Sequence, residues 1–283
     1  MTFHNSNTDL YVPDGLDLSA ALKRTTHLGI GAHQDDLEIT MTHGVLDCFG
    51  RPDRWFTGVT CTDGAGSARA GLYADFTNED MMKVRMKEQR AAAYLGRYSA
   101  CLQLGYTSKQ VKTPGDPNLE SDLVQLLKAA RPKVVYTHNP ADKHATHVAV
   151  ASAAIRALRC LPASERPEKV LGCEAWRGLD WMPDSRKAVL DISGHQNLSA
   201  ALLGVFDSQI AGGKRYDLAA IGRYRANATF FESHAVDKTE LAVYAMDLTP
   251  LLRDDKLSLL QFVASLVDDF KAEASSQLKA MGW

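Results

Sequence analysis

The pattern of apolar and polar residues predicts that strands and helices alternate in the first part of the chain. Short apolar runs predict buried strands at 26–32, 55–61 and 132–137. Apolar residues at helical spacing predict helices at 36–49, 79–95, 119–130 and 144–161. This alternation is typical of an α/β fold in which helices cover both faces of a mostly parallel sheet.

The pattern changes beyond residue 170. Strands are predicted at 172–181, 188–192 and 243–246 and helices at 196–210 and 258–281, with an arginine-rich segment at 216–231. The first 24 residues are polar and irregular, and Pro13-Asp14-Gly15 predicts a turn. Since no repeat or linker-like run divides the chain, we expect one domain. Residues 25–160 would form its core, and residues 170–283 would cover the core and select the substrate.

Composition and charge narrow the classes of partner. The 283 residues include 32 lysines and arginines against 34 aspartates and glutamates, which gives a formal net charge of −2. This balance argues against a protein that binds nucleic-acid phosphates or an anionic membrane surface. No apolar run in the sequence reaches the length that a membrane span requires.

The cysteines and the first residues bear on the compartment. The five cysteines are odd in number and form no Cys-x-x-Cys pair, which argues against a disulfide framework and against a thiolate zinc site. The first residues lack the basic segment and apolar run of a secretory signal. We therefore expect a cytoplasmic protein with reduced thiols.

Two polar segments follow predicted strands, and both carry residue types that bind metals. The first, 31–38, contains His33 and Asp36, and the second, 138–147, contains His144 and His147. Ligands of open parallel sheets bind beyond the carboxyl ends of the strands. Because each pair is spaced three residues apart, its two side chains can share one face of a turn or helix.

Two histidines and one carboxylate around an open position are typical of a catalytic metal site. Asp35, next to the carboxylate ligand, could accept a proton from a metal-bound water, and the remaining histidine could stabilise the oxyanion formed at a carbonyl. Taken alone, a pair such as His144 and His147 is more often made of surface or core histidines than of ligands, and Asp35 and Asp36 are equally compatible with the N-cap of a helix. The two segments together, each at the end of an apolar strand, favour the metal site.

These segments resemble the motifs of a known family. His33-Gln34-Asp35-Asp36, followed by Glu38, resembles the His-Pro-Asp-Asp-x-Glu motif of the LmbE-like (PIG-L) N-acetylglucosamine de-N-acetylases. His144-Ala145-Thr146-His147 resembles the second motif of that family, of the His-Pro-Asp-His type. Weaker similarity extends over 27–158 and includes a helix whose Arg85 and Glu88 resemble the Arg-x-x-Glu motif of the family.

The resemblance implies a Rossmann-like three-layer sandwich, a zinc ion and hydrolysis of an N-acyl amide on an amino sugar. By position it assigns metal ligation to His33, Asp36 and His147, the general base to Asp35, oxyanion stabilisation or protonation of the leaving amine to His144, and a substrate contact to Arg85. Without the family, a solvated helix face is an equally good interpretation of Arg85.

The sequence departs from the family pattern at three places. Gln34 replaces a proline whose role is to rigidify the turn, and Thr146 replaces the aspartate that orients the first histidine of the second motif. Asp142 either substitutes for that aspartate or caps the following helix. Thr107-Ser108-Lys109 stands where relatives often carry an aspartate that contacts the sugar, so the sugar contacts of the family do not carry over.

The sequence therefore predicts a zinc-dependent hydrolase that removes an acetyl or other N-acyl group from an amino sugar or glycoconjugate. Fe²⁺ or another divalent ion in place of Zn²⁺, another amide substrate and a homo-oligomer all remain open. Two other classes are less favoured: a non-haem iron oxygenase and a carbohydrate-binding protein without activity. A nucleotide site is also less favoured, because Gln34 occupies the third glycine position of the dinucleotide fingerprint that begins at Gly29.

Overall fold

A computed structural model describes residues 1–283 and contains eight strands and twelve α-helices. The strands are β1 (Asp9–Tyr11), β2 (His27–Gly31), β3 (Phe56–Thr62), β4 (Ala100–Tyr106), β5 (Val134–His138), β6 (Lys169–Cys173), β7 (Lys187–Asp191) and β8 (Ala242–Asp247). The helices are α1 (Leu18–Lys23), α2 (Asp36–Thr40), α3 (Thr42–Cys48), α4 (Asn78–Leu95), α5 (Ser108–Val111), α6 (Asn118–Ala130), α7 (Ala145–Arg159), α8 (Gln196–Gly204), α9 (Asp207–Ile210), α10 (Tyr216–Phe230), α11 (Pro250–Arg253) and α12 (Leu259–Ala280).

All eight strands form one sheet in the order β1-β4-β3-β2-β5-β6-β8-β7. The five strands from β4 to β6 are parallel, whereas β1, β7 and β8 pair antiparallel with their neighbours. The crossovers between the parallel strands place helices on both faces of the sheet. The predicted α/β fold with a mostly parallel sheet and C-terminal additions is confirmed.

Two hydrophobic cores, one on each face of the sheet, give the molecule three layers. On one face, Leu28 and Ile30 of β2 pack with residues of α6 and α7. On the other face, Leu37 of α2 and Phe56 of β3 pack with residues of α3, α4, α8 and α10. Consecutive strand residues point to opposite faces, so the apolar runs read from the sequence are buried on both sides. None of the helices is both long and apolar enough to cross a membrane.

The structure differs from the predicted elements mainly at the start of the chain, at β4, and at 172–181, where the predicted strand is wrong beyond Cys173 because β6 covers only 169–173. The first 24 residues are not irregular throughout, because they contain β1 and α1. β1 covers the edge of β4, a strand that the apolar pattern missed because Gln103 interrupts it. The Gln103 side chain is buried, and its amide nitrogen Nε2 donates hydrogen bonds to the Asp9 carboxylate and to the carbonyl of Met86.

Two predicted helices are divided in the structure. The predicted helix 36–49 is split into α2 and α3 at Met41, whose backbone (φ −110°, ψ 15°) is not helical. The predicted helix 196–210 is likewise split into α8 and α9. The other predicted helices are present with small changes at their ends, and the arginine-rich segment forms α10. The division into a core at 25–160 and a covering part at 170–283 stays a prediction, although β6, β7 and β8 extend the same sheet.

Candidate metal centre

The candidate site lies beyond the carboxyl ends of two adjacent parallel strands. β2 and β5 are neighbours in the sheet, with Ile30 paired to Thr137 near the ends of both strands. The chain leaves β2 toward His33 and α2, and it leaves β5 toward the turn that precedes α7. The two polar segments that the sequence places more than 100 residues apart therefore meet at one edge of the sheet.

Two imidazoles and one carboxylate form a triangle of donor groups at this edge, and a different oxygen of the carboxylate lies nearest to each imidazole. His33 Nδ1 lies 3.3 Å from Asp36 Oδ2 and 3.3 Å from His147 Nε2. His147 Nε2 lies 3.4 Å from Asp36 Oδ1. Ligand atoms held about 2.1 Å from a zinc ion at tetrahedral angles are separated by about 3.4 Å. Two imidazole nitrogens and one carboxylate oxygen at this spacing therefore fit a divalent metal ion of the zinc type.

Backbone N–H groups fix the Asp36 carboxylate. Asp36 is the first residue of α2, and its Oδ2 accepts hydrogen bonds from the backbone nitrogens of Ala32 (3.0 Å) and His33 (2.6 Å). Burial acts to raise the pKa of this carboxyl, but the surrounding histidines, His147 above all, hold it well below its usual range. The carboxylate is thus charged and oriented toward the histidines.

His147 is held on two sides. Its Nδ1 lies 2.9 Å from Asp142 Oδ2, which leaves Nε2 directed toward His33 and Asp36. A carboxylate behind a histidine ligand fixes its ring and raises its basicity. Burial lowers the pKa of His147, but Asp36 and Asp142 outweigh it and the net shift is upward. The sequence left open whether Asp142 orients His144 or caps the following helix. In the structure its Oδ2 orients His147, the second histidine of the motif, and its Oδ1 accepts a hydrogen bond from the His144 backbone nitrogen (2.8 Å).

His138, the last residue of β5, is a site residue for which we predicted no role. Its ring stacks on that of His147, with centroids 3.9 Å apart and planes 12° apart. Its Nε2 accepts a hydrogen bond from the backbone nitrogen of Ala32 (2.9 Å) and lies 3.2 Å from Asp36 Oδ2. Burial, followed by the charge of His147, lowers the pKa of His138 to about 4, so the ring is neutral.

Two other donor combinations exist in this cluster, one of Asp36, His138 and His147 and one of the three histidines His33, His144 and His147. In the first, the Nε2 lone pair of His138 is already engaged by a backbone N–H, and the ring is fully buried. The second lacks the carboxylate. In the triangle of His33, Asp36 and His147, backbone N–H groups engage Oδ2 of Asp36 but not Oδ1, and the 25% exposed side chain of His33 leaves an open side.

Asp35 lies beside the triangle in a strained backbone conformation. Its φ of 93° is in the left-handed region, which aspartate tolerates better than most residues. Its Oδ2 accepts a hydrogen bond from Arg85 Nη2 (2.9 Å), and its backbone N–H donates to Gln89 Oε1 (3.2 Å). Burial raises the pKa of the Asp35 carboxyl to about 6, against the opposing charge of Arg85.

Arg85 is enclosed by protein groups. Its side chain is 1% exposed, and it donates hydrogen bonds to Asp35 and the carbonyl of Gln34 through Nη2 and to Glu88 Oε2 (3.2 Å) through Nη1. Glu88 in turn accepts hydrogen bonds from Ser208 Oγ (2.6 Å) and the Ser208 backbone nitrogen (2.7 Å). A solvated helix face is therefore the wrong interpretation of Arg85. The guanidinium has no free face for substrate in this structure, and it holds Asp35 instead.

His144 stands at the exposed side of the site. Its ring centroid lies 5.0 Å from that of His33 and 4.5 Å from that of His147. Partial burial, followed by the nearby charges of His147 and His33, lowers the pKa of His144. At neutral pH His144 is therefore an uncharged imidazole at the mouth of the site.

The fold and site define a class of protein: a three-layer α/β protein with a cluster of histidines and a carboxylate that could hold a metal ion, and a second buried carboxylate beside it. Residues 28–158 match the family model described as "PIG-L: GlcNAc-PI de-N-acetylase". The matched segment contains all three donors together with Asp35, Arg85 and His144. The resemblance to the PIG-L family that the motifs predicted is therefore confirmed over residues 28–158. A search of curated proteins found no match.

Solved structures with the same fold are distant in sequence. GalB, the 4-carboxy-2-hydroxymuconate hydratase from Pseudomonas putida KT2440, is 16% identical with a TM-score of 0.62, over 79% of this chain and 96% of its own. N,N'-diacetylchitobiose deacetylase from Pyrococcus horikoshii is 17% identical with a TM-score of 0.61, over 84% and 90%. The zinc-inhibited form of teicoplanin deacetylase Orf2 is 14% identical with a TM-score of 0.57, over 79% and 97%.

These likenesses show the fold. Since a hydratase and deacetylases have it in common, the fold by itself does not select a reaction. The function must be argued from the side chains of the site.

Proposed function

We propose that this protein is a metal-dependent amidohydrolase that removes the acyl group, acetyl in the simplest case, from an N-acylated amino sugar or glycoconjugate. The observation that carries the proposal is the donor triangle of His33, Asp36 and His147 with the buried Asp35 carboxylate beside it. The family match over residues 28–158 supports it, and so do the deacetylases among proteins of the same fold.

His33, Asp36 and His147 would hold the metal ion, with Asp142 supporting His147 from behind. Zinc is the ion that best suits two imidazoles, one carboxylate and an open position. When bound, such an ion supplies Lewis-acid polarisation of the amide carbonyl and lowers the pKa of water.

Asp35 is assigned the proton transfers. With a pKa of about 6 its carboxyl is mostly ionised at neutral pH, so it can accept the proton of the attacking water. It can then return this proton to the nitrogen as the carbon–nitrogen bond breaks, which leaves a carboxylic acid and an amine as products. The hydrogen bond from Arg85 holds the carboxylate in place for both transfers.

His144 is assigned to the carbonyl oxygen. As a neutral imidazole at the mouth of the site it can donate one N–H hydrogen bond toward the negative charge that develops on that oxygen. Because the ring lies beside His33 and His147 at the exposed side of the site, it is in position to meet a substrate that approaches from solvent.

Release of amine from N-acetylglucosamine and its glycosides tests this proposal. We expect amine and acetate in equal amounts from the wild type, and at least about a hundredfold lower kcat in Asp35→Asn, the loss typical of a missing general base. Metal content should not change in this variant. Asp53→Asn is the control, because the 69% exposed Asp53 side chain lies outside the site.

Two results would contradict the proposal. One is a wild type that binds N-acetylated sugars but releases no amine, which favours a carbohydrate-binding protein. The other is an Asp35→Asn variant that keeps the activity of the wild type and of Asp53→Asn, since the reaction would then need another base.

A further inference from the structure

An apolar cavity of about 240 Å³ lies against α2, the helix that begins at Asp36. It is bounded by Ile39 of α2, by Trp176 after β6 and by Tyr216 and Ala219 of α10. The Trp176 and Tyr216 rings meet edge to face, with centroids 5.3 Å apart. The one charged residue of the lining, Arg223, has Asp180 as an ionic partner at 3.4 Å. An uncharged group therefore fits this space better than an ion.

Three observations link the apolar cavity to the reacting groups. Ile39 follows Asp36 by three residues on the short helix α2, so it lies on the same side of that helix. The ammonium group of Lys143, the residue before His144, lies 5.5 Å from the centre of the Trp176 ring. Burial, followed by the charges of Asp35 and Asp36, raises the pKa of Tyr216 to about 12.

A second cavity, of about 320 Å³, has mostly polar residues in its lining. They include Asp63, which follows β3, Gln103 of β4 and Asn7 before β1, and Met82 and Met86 of α4 complete the wall. In the sheet order, β3 and β4 lie on one side of β2, while β6, which leads to Trp176, lies on the other. The two cavities therefore flank the strand that leads to the donors.

An N-acylated amino sugar is likewise polar at one end and apolar at the other, because its hydroxyl-bearing ring and its acyl chain extend from opposite sides of the amide. On the basis of the function proposed above, we infer that the apolar cavity receives the acyl chain of the substrate, and that the enzyme prefers acyl groups longer than acetyl. The sugar then lies toward Asp63 and Gln103.

A series of N-acylglucosamines measures this preference. Burial of one methylene group contributes a factor of about four to binding, so N-hexanoylglucosamine should exceed N-acetylglucosamine in kcat/KM by at least about tenfold. In Ala219→Phe, where an aromatic ring fills the cavity, the ratio of the two kcat/KM values should fall by about tenfold. Leu218→Phe is the matched control, because Leu218 is the preceding residue of the same helix, is 61% exposed and does not line the cavity.

A wild type that favours the acetyl compound would overturn the inference, and so would an Ala219→Phe variant whose ratio equals that of Leu218→Phe. Calorimetric binding of sodium hexanoate and sodium acetate separates this failure from a failure of the proposed function. Even if no amide is hydrolysed, two results together support an acyl site in the apolar cavity. The wild type should bind hexanoate at least about tenfold more tightly than acetate, and Ala219→Phe should lose this difference. Equal affinity for the two acids refutes it.

Discussion

Single residues of the site depend on partners that are distant in sequence. Arg85 reaches Asp35 across 50 positions, and Ser208 reaches Glu88 across 120. The motifs predicted the donors and the base because these residues follow strands at fixed spacing. They did not indicate a role for His138, which reads as the end of a buried strand, or for Ser208, which has no motif. Contacts of this kind are created by tertiary packing, so a single sequence does not display them.

The hydrogen bond from Ser208 to Glu88 supports the arginine that holds Asp35. Removal of a hydrogen bond to a buried charged group costs about 1.5–3 kcal/mol, so Ser208→Ala should lower the free energy of unfolding by about this amount. The variant should also lower kcat, because Glu88 and Arg85 lose part of their support. Urea denaturation and steady-state kinetics measure the two effects.

Ser199 provides the matched control for this variant. It is also a fully buried serine of the C-terminal helices, but its Oγ has no hydrogen-bond partner. Ser199→Ala should therefore leave stability nearly unchanged or raise it slightly. Equal losses of stability and kcat in the two variants would show that the contact with Glu88 has no special role.

At the scale of elements, glycines in the central strands let α2 pack close enough to present Asp36. The predicted strands and long helices were found because burial on both faces and helical periodicity leave strong patterns. β1 and β4 were missed because a three-residue edge strand and a strand with a buried glutamine leave weak ones. The break between α2 and α3 had no glycine or proline to indicate it.

Gly58 of β3 tests the close approach of these elements. A Cβ atom at this position would lie 2.6 Å from Leu37 Cδ1 and 3.0 Å from Tyr98 Cε2. Both neighbours are buried, and the Tyr98 hydroxyl is fixed on Glu38 (2.6 Å), so neither can move freely. We expect Gly58→Ala to lose about 1–3 kcal/mol of stability by overpacking and to weaken metal binding, because Leu37 adjoins Asp36.

The control for Gly58→Ala is Gly204→Ala. Gly204 ends α8, and a Cβ atom there would meet nothing within 4 Å. This substitution should be neutral or slightly stabilising. If Gly58→Ala were as stable as Gly204→Ala by thermal and urea denaturation, close packing of α2 on β3 would not be what places Asp36.

At the scale of the whole molecule, the reacting groups and the groups proposed to select the acyl chain come from different parts of the sequence. The donors and Asp35 lie within the family match at 28–158, whereas Trp176, Tyr216 and Ala219 lie beyond it. The proposed chemistry therefore rests on residues inside the family match, whereas the proposed acyl preference rests on residues outside it. The net charge of −2 is consistent with an uncharged substrate, since the molecule as a whole carries little net charge of either sign.

The central claim is that His33, Asp36 and His147 bind a divalent metal ion. Its most direct test is the zinc content of purified protein after incubation with zinc and dialysis, compared with His147→Ala and with His234→Ala, an exposed histidine outside the site. We expect one ion per chain in the wild type and in His234→Ala, and at least about tenfold weaker binding in His147→Ala. Equal zinc content in all three proteins, or none in the wild type, would contradict the account.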